Sequence, residues 1–199
     1  EEKEDFISFS AEAGELENYI IPRYGRNMYA VYGMSMGGVL AATLWQNRNL
    51  SFEKVIFDGS PLVSLNGFMK GFMKKFYLDI THKSQQRDKK TVEQATKVII
   101  PEDKLEHLLR VLDNMSDATV TNSIDSIAEF KLKSDIVTPN TTVYFFHGTA
   151  PNEMLAKKSA KYVQKHYPTT VIKRFSGKFH CENALFHPEI MMEELNRIL

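Results

Sequence analysis

Residues 28–47 read MYAVYGMSMGGVLAATLWQN. Met28-Tyr29-Ala30-Val31-Tyr32 alternates apolar and aromatic side chains and reads as a strand. Gly33-Met34-Ser35-Met36-Gly37-Gly38 reads as a tight turn. Val39-Leu40-Ala41-Ala42-Thr43-Leu44-Trp45 has high helix propensity and no breaker. Ser35 is therefore predicted at the apex of a strand-to-helix turn, the setting in which G-x-S-x-G carries chemical meaning. At such an apex the backbone is strained and its neighbours two residues away must be small. Gly33 and Gly37 are expected to supply that room, and Gly38 to let the helix pack close to the strand. Ser35 Oγ would then stand at a helix N-terminus, which favours developing negative charge, with the Met36 N–H aimed at an oxyanion.

The 199 residues carry 25 Lys and Arg against 25 Asp and Glu, a formal net charge of zero. This length suits one domain with a sizeable core. Zero charge without a basic cluster argues against a nucleic-acid partner. No run of 18 apolar residues is present, so no membrane-spanning helix is expected. The opening Glu1-Glu2-Lys3-Glu4-Asp5 is charged and acidic, unlike a secretory signal. Cys181 is the only cysteine, so no intrachain disulfide can form and a reducing cytoplasm is the expectation. No zinc-type Cys/His cluster, Walker motif or dinucleotide fingerprint occurs.

Around the central stretch the pattern alternates. Residues 6–24 read as a helix with Phe6, Phe9, Leu16, Tyr19 and Ile20 on one face, ended by Pro22 and Gly25. Lys54-Val55-Ile56-Phe57-Asp58 reads as a buried strand closed by Gly59-Ser60-Pro61. From Pro61 to about Asn140 the pattern is helical. Phe68, Met69, Phe72, Met73 and Phe76 form an apolar stripe at helical spacing. A polar break covers Thr81–Lys90, and further helices are predicted over 102–115 and 117–132. Alternation then resumes: a strand over 142–148, a helix over 152–166, a strand over 169–175, a loop over 176–183, and a last helix started by Pro188. Strands alternating with helices imply a mostly parallel sheet with helices on both faces. The helical stretch 61–140 reads as an inserted cap, leaving 1–60 and 141–199 as the core.

A serine elbow needs a base. His180 lies in the loop between the last strand and the last helix, at the same carboxyl edge of the sheet as the elbow. His147 reads as a strand-end residue, and His82, His107, His166 and His187 as surface residues. Cys181 is a far weaker nucleophile candidate than Ser35, which has the better backbone setting.

Elbow, following strand, helical insert, strand ending in His147-Gly148, and histidine loop before the last helix come in an order that resembles the α/β-hydrolase superfamily, specifically small bacterial esterase/lipase-type serine hydrolases with a helical cap. The resemblance spans nearly the whole chain. It implies an α/β-hydrolase fold, Ser35 as nucleophile, His180 as general base and the Met36 N–H as half of an oxyanion hole. An ester or thioester would be cleaved through an acyl-enzyme, with no metal or cofactor. Phe68, Phe72 and Met73 are candidates to line an acyl pocket, with ordinary helix packing as the alternative.

Two departures stand out. The family has several strands before its elbow, and an early loop there gives the second oxyanion donor. The chain is thus expected to be the C-terminal portion of a longer protein, without about the first four strands. The third triad member is also open. The usual spacing lands on Pro151; Glu153 is the nearest carboxylate, and Asp58 is the rival. Glu182 is too near His180 in sequence to orient it. A ligand-binding protein of the same fold, without turnover, is the alternative function. Substrate identity and oligomeric state are not legible.

Overall fold

The computed structural model describes residues 4–199, so the acidic Glu1-Glu2-Lys3 falls outside the described residues. The chain divides into two compact units. One comprises Ser8–Ser64 and Glu129–Cys181; the other joins Leu65–Ala128 and Glu182–Leu199 to the N-terminal stretch ending at Ile7.

The first unit is built on a four-stranded sheet in the order β1 (Asn27–Met34), β2 (Ser51–Asp58), β3 (Thr142–Gly148), β4 (Val171–Phe175). Every pairing is parallel; Val31 faces Val55, Phe57 faces Phe145 and Phe145 faces Ile172. Val55, Ile56, Phe57 and Asp58 are consecutive and all buried. Successive strand residues point to opposite faces, so this run shows that both faces are covered. Helix α1 (Phe9–Tyr24) packs on α2 (Met36–Asn47), α2 packs on β1 and β2, and α7 (Met154–His166) packs on β3. This is the α/β-hydrolase fold, matching the expected class.

Local details differ from the periodic reading. Helix α1 starts after Ser8, whose hydroxyl accepts from the Ala11 N–H at 3.2 Å. Its buried face is Phe9, Ala13 and Glu17, while Leu16 and Tyr19 are exposed. The stripe is offset because Glu17 takes amide hydrogens from Asn47 at 3.0 Å and Asn49 at 2.6 Å, so a carboxylate fills a core position. Pro22 sits inside the last turn rather than ending the helix.

The second unit is helical: α3 (Gly67–Gln85), α4 (Lys89–Val98), α5 (Leu105–Asp113), α6 (Asp117–Glu129), α8 (Glu182–Phe186) and α9 (Pro188–Asn196). Helix α3 runs to Gln85, past the start of the predicted polar break. Asp88 then caps α4 by accepting from the Thr91 N–H at 2.9 Å. Lys70 and Lys74 both reach Asp125 on α6, at 3.0 and 2.8 Å. Pro188 stands at the first position of α9, where its missing N–H is not needed. Among the described residues no helix is long and apolar enough to cross a membrane.

Candidate active site

The elbow forms because two chain segments approach too closely for side chains. A Cβ at Gly33 would lie 2.5 Å from both the Gly37 carbonyl oxygen and the Gly38 Cα. A Cβ at Gly38 would lie 1.7 Å from Ser60 Oγ. A Cβ at Gly37, expected to supply room, would meet nothing within 4 Å beyond its chain neighbours and its own helix backbone, so steric exclusion there rests on Gly33 and Gly38. Ser35 itself takes φ 50° and ψ −118°, a backbone state that costs a non-glycine residue about 1–3 kcal/mol. Two bonds hold it: the Ser35 N–H donates to the Asp58 carbonyl at 2.7 Å, and the Gly38 N–H to the Ser35 carbonyl at 3.0 Å.

Ser35 caps α2 without a side-chain hydrogen bond, which leaves its hydroxyl available. His180 Nε2 lies 2.8 Å from Ser35 Oγ, and His180 Nδ1 lies 2.5 Å from Glu153 Oε1. The carboxylate can only accept, so this network assigns the proton to Nδ1 and leaves Nε2 to accept from the serine. Glu153 is fully buried, and its other oxygen accepts from the Gly148 N–H at 2.8 Å. It closes a short 3-10 turn, Pro151–Glu153, so Pro151 opens the turn that carries the carboxylate inward. The turn is stitched to the histidine loop. Ala150 N–H donates to the Lys178 carbonyl at 3.0 Å and Gly177 N–H to Thr149 Oγ1 at 2.7 Å.

Asp58 reaches the same end of the sheet, but its Oδ2 accepts from the Tyr32 hydroxyl at 2.8 Å. Burial pushes its carboxyl up from 3.8 to about 6; the Tyr32 hydrogen bond and His180 oppose this, and Glu153 adds to it. Cys181 is buried with φ 53°, its Sγ 3.7 Å from the Asp58 carbonyl. Burial, then the Asp58 and Glu153 charges, push its thiol far above the usual range, which disfavours the thiolate a nucleophile needs. Helix geometry leaves the Met36 N–H, first in α2, without an intrahelical acceptor.

The remaining histidines lie elsewhere. His147 is buried with Nδ1 2.6 Å from the Gly148 carbonyl, and His82 meets Asp117 at 2.6 Å. Glu182 faces His187 at 3.6 Å. Phe68, Phe72 and Met73 lie on α3 in the helical unit, the two phenylalanines exposed and Met73 half-buried. Sequence reasoning missed Tyr32 as a partner of Asp58 and the Gly148 N–H as a partner of Glu153. Only strand register, which pairs Met34 with Asp58, brings the first pair together.

No protein-family model and no curated protein matches this sequence. Solved structures do, at the level of fold. An α/β-hydrolase family protein from Desulfitobacterium hafniense superposes with TM-score 0.73 at 14% identity, covering 100% of this chain and 79% of that one. An esterase from Exiguobacterium antarcticum gives 0.70 at 16%, covering 96% and 73%. A bromoperoxidase from Bacillus anthracis gives 0.68 at 16%, covering 94% and 72%.

Proposed function

We propose that this protein is a serine hydrolase that cleaves a carboxylic ester or thioester through an acyl-enzyme on Ser35. The observation that carries this reading is the continuous chain Ser35 Oγ–His180–Glu153, at 2.8 and 2.5 Å, on a positive-φ turn at a helix N-terminus. His180 Nε2 takes the Ser35 proton as Oγ attacks the substrate carbonyl. Glu153, desolvated and held by Gly148, stabilises the imidazolium that forms. The tetrahedral oxygen takes the Met36 N–H and the positive end of α2; one such donor is worth about 10²–10³ in rate. Imidazolium then protonates the leaving alcohol or thiol. In the second half-reaction His180 takes a proton from water, hydroxide attacks the acyl carbon, and Ser35 leaves with the proton restored.

The esterase neighbour supports this reading by fold alone. In the same proposal the segment 61–140 is a cap on a core of 1–60 and 141–199, and Phe68, Phe72 and Met73 line the acyl pocket. The substrate is a small acyl compound.

The test is hydrolysis of a p-nitrophenyl ester series by wild type, Ser35→Ala and His180→Ala, with fluorophosphonate labelling of Ser35. Hydrolysis lost in both variants and labelling lost in Ser35→Ala is the expected result. A wild type inert to every ester and to fluorophosphonate would leave a ligand-binding protein in its place.

A further inference from the structure

Asp58 is a carboxylate that the Ser35–His180–Glu153 chain does not use, yet it is 2% exposed. Carboxylates are rarely buried without a partner or a task. Its main chain has one role already, accepting the Ser35 N–H, and any residue would keep that bond. The side chain is separate: it accepts the hydroxyl hydrogen of Tyr32, a residue 37% exposed on β1. The next residue, Gly59, lies against the imidazole. A Cβ there would meet His180 Cε1 at 2.8 Å and Nδ1 at 3.0 Å.

The titratable groups facing Asp58 come from three places: Tyr32 on β1, Glu153 in the turn after β3, and His180 and Cys181 in the loop after β4. Two buried carboxyls therefore stand near one imidazole. One touches it and the other does not.

We propose that Asp58, held by Tyr32, is a positioning residue whose charge beside His180 sets the pH range over which Ser35 is activated. This rests on the serine-hydrolase reading. An ionised Asp58 stabilises the imidazolium by Coulomb attraction across a buried site. That helps the transition state, in which His180 carries charge. Tyr32 keeps the charge in place, because its hydroxyl favours the ionised carboxyl. Burial works against it and lifts the carboxyl to about 6, so Asp58 changes charge within the working range of a histidine base.

The rate of Ser35 labelling by a fluorophosphonate reads out His180 without a known substrate. It is followed from pH 5 to 9 for wild type, Asp58→Asn and Tyr32→Phe, all full chain. In Asp58→Asn the acid limb moves down by about half to one pH unit and the plateau falls about three- to tenfold. Tyr32→Phe raises the proton affinity of Asp58, so it tracks Asp58→Asn near pH 6 and returns to wild type by pH 9. A merely structural role lowers the whole curve in parallel, and a curve parallel to wild type in both variants overturns the proposal. Should Asp58→Asn fail to fold, Tyr32→Phe decides alone: convergence with wild type at high pH supports the proposal, and a constant ratio overturns it. Wild type that never labels overturns the hydrolase reading itself, which distinguishes that failure from this one.

Discussion

Glu153 and His180 are 27 residues apart in the chain and 2.5 Å apart in space, and the carboxylate in this pair is the one with no solvent exposure. The short turn after β3 and the loop after β4 are tied through Ala150–Lys178 and Thr149–Gly177, so backbone bonds hold together the two segments that carry the contact. Glu153→Gln keeps size and an acceptor for the Gly148 N–H but removes the charge facing imidazolium. The expected result is an ester-hydrolysis kcat lower by about 10³–10⁴ with KM nearly unchanged. A loss under tenfold would show that Glu153 is structural.

The glycines of the elbow make a pair of opposite predictions. Gly38→Ala places a methyl 1.7 Å from Ser60 Oγ and 2.4 Å from its Cβ. It should destabilise the chain by about 2–3 kcal/mol. Adding Ser60→Gly removes both obstructing atoms, so the double variant should recover much of the loss. Gly33→Ala meets backbone atoms of Gly37 and Gly38 instead, and Ser60→Gly should not rescue it. Thermal unfolding of the four variants checks both statements.

These two predictions also show what was legible in advance. The elbow and the histidine loop are local signals, written in consecutive residues, and a strand–turn–helix pattern suffices to place them. The choice between Glu153 and Asp58 is not local. It depends on a 3-10 turn that carries Glu153 inward and on the register that hands Asp58 to Tyr32. Periodicity misplaces the buried face of α1 for a similar reason. Periodicity scores Leu16 and Tyr19 as core, but the asparagines that let Glu17 be buried come from the far end of α2 and the turn beyond it. Helix α4 escaped because its apolar content is low, and its start rests on the Asp88 cap.

Asp58 also sets a pH dependence of stability. Folding raises its carboxyl from 3.8 to about 6, mainly through burial. Between those values the folded chain holds more protons than the unfolded one, so this group makes stability fall as pH rises through that window. Above it the contribution is unfavourable by up to about 3 kcal/mol. Asp58→Asn keeps an acceptor for Tyr32 and cannot ionise. Its melting temperature should therefore exceed wild type by several degrees at pH 8 and by much less at pH 4. A difference that is the same at both values would show that folding does not raise the Asp58 carboxyl.

Phe68 offers a test of the proposed acyl role of α3 that stability does not confound. The side chain is 83% exposed, and Phe72, one turn later, is 61% exposed. Large apolar groups left in water add little to folding, so Phe68→Ser should shift stability by less than about 0.5 kcal/mol. A role in holding an acyl chain would appear elsewhere. Each buried methylene of a bound chain is worth about 0.8 kcal/mol, so losing one apolar wall should raise KM for long-chain p-nitrophenyl esters several-fold and leave the acetate nearly unaffected. The same comparison with Phe72→Ser should move preference in the same direction, because both rings lie on one stripe of α3. Equal KM changes for acetate and long-chain esters would remove Phe68 and Phe72 from the pocket and leave the stripe without a part in substrate choice.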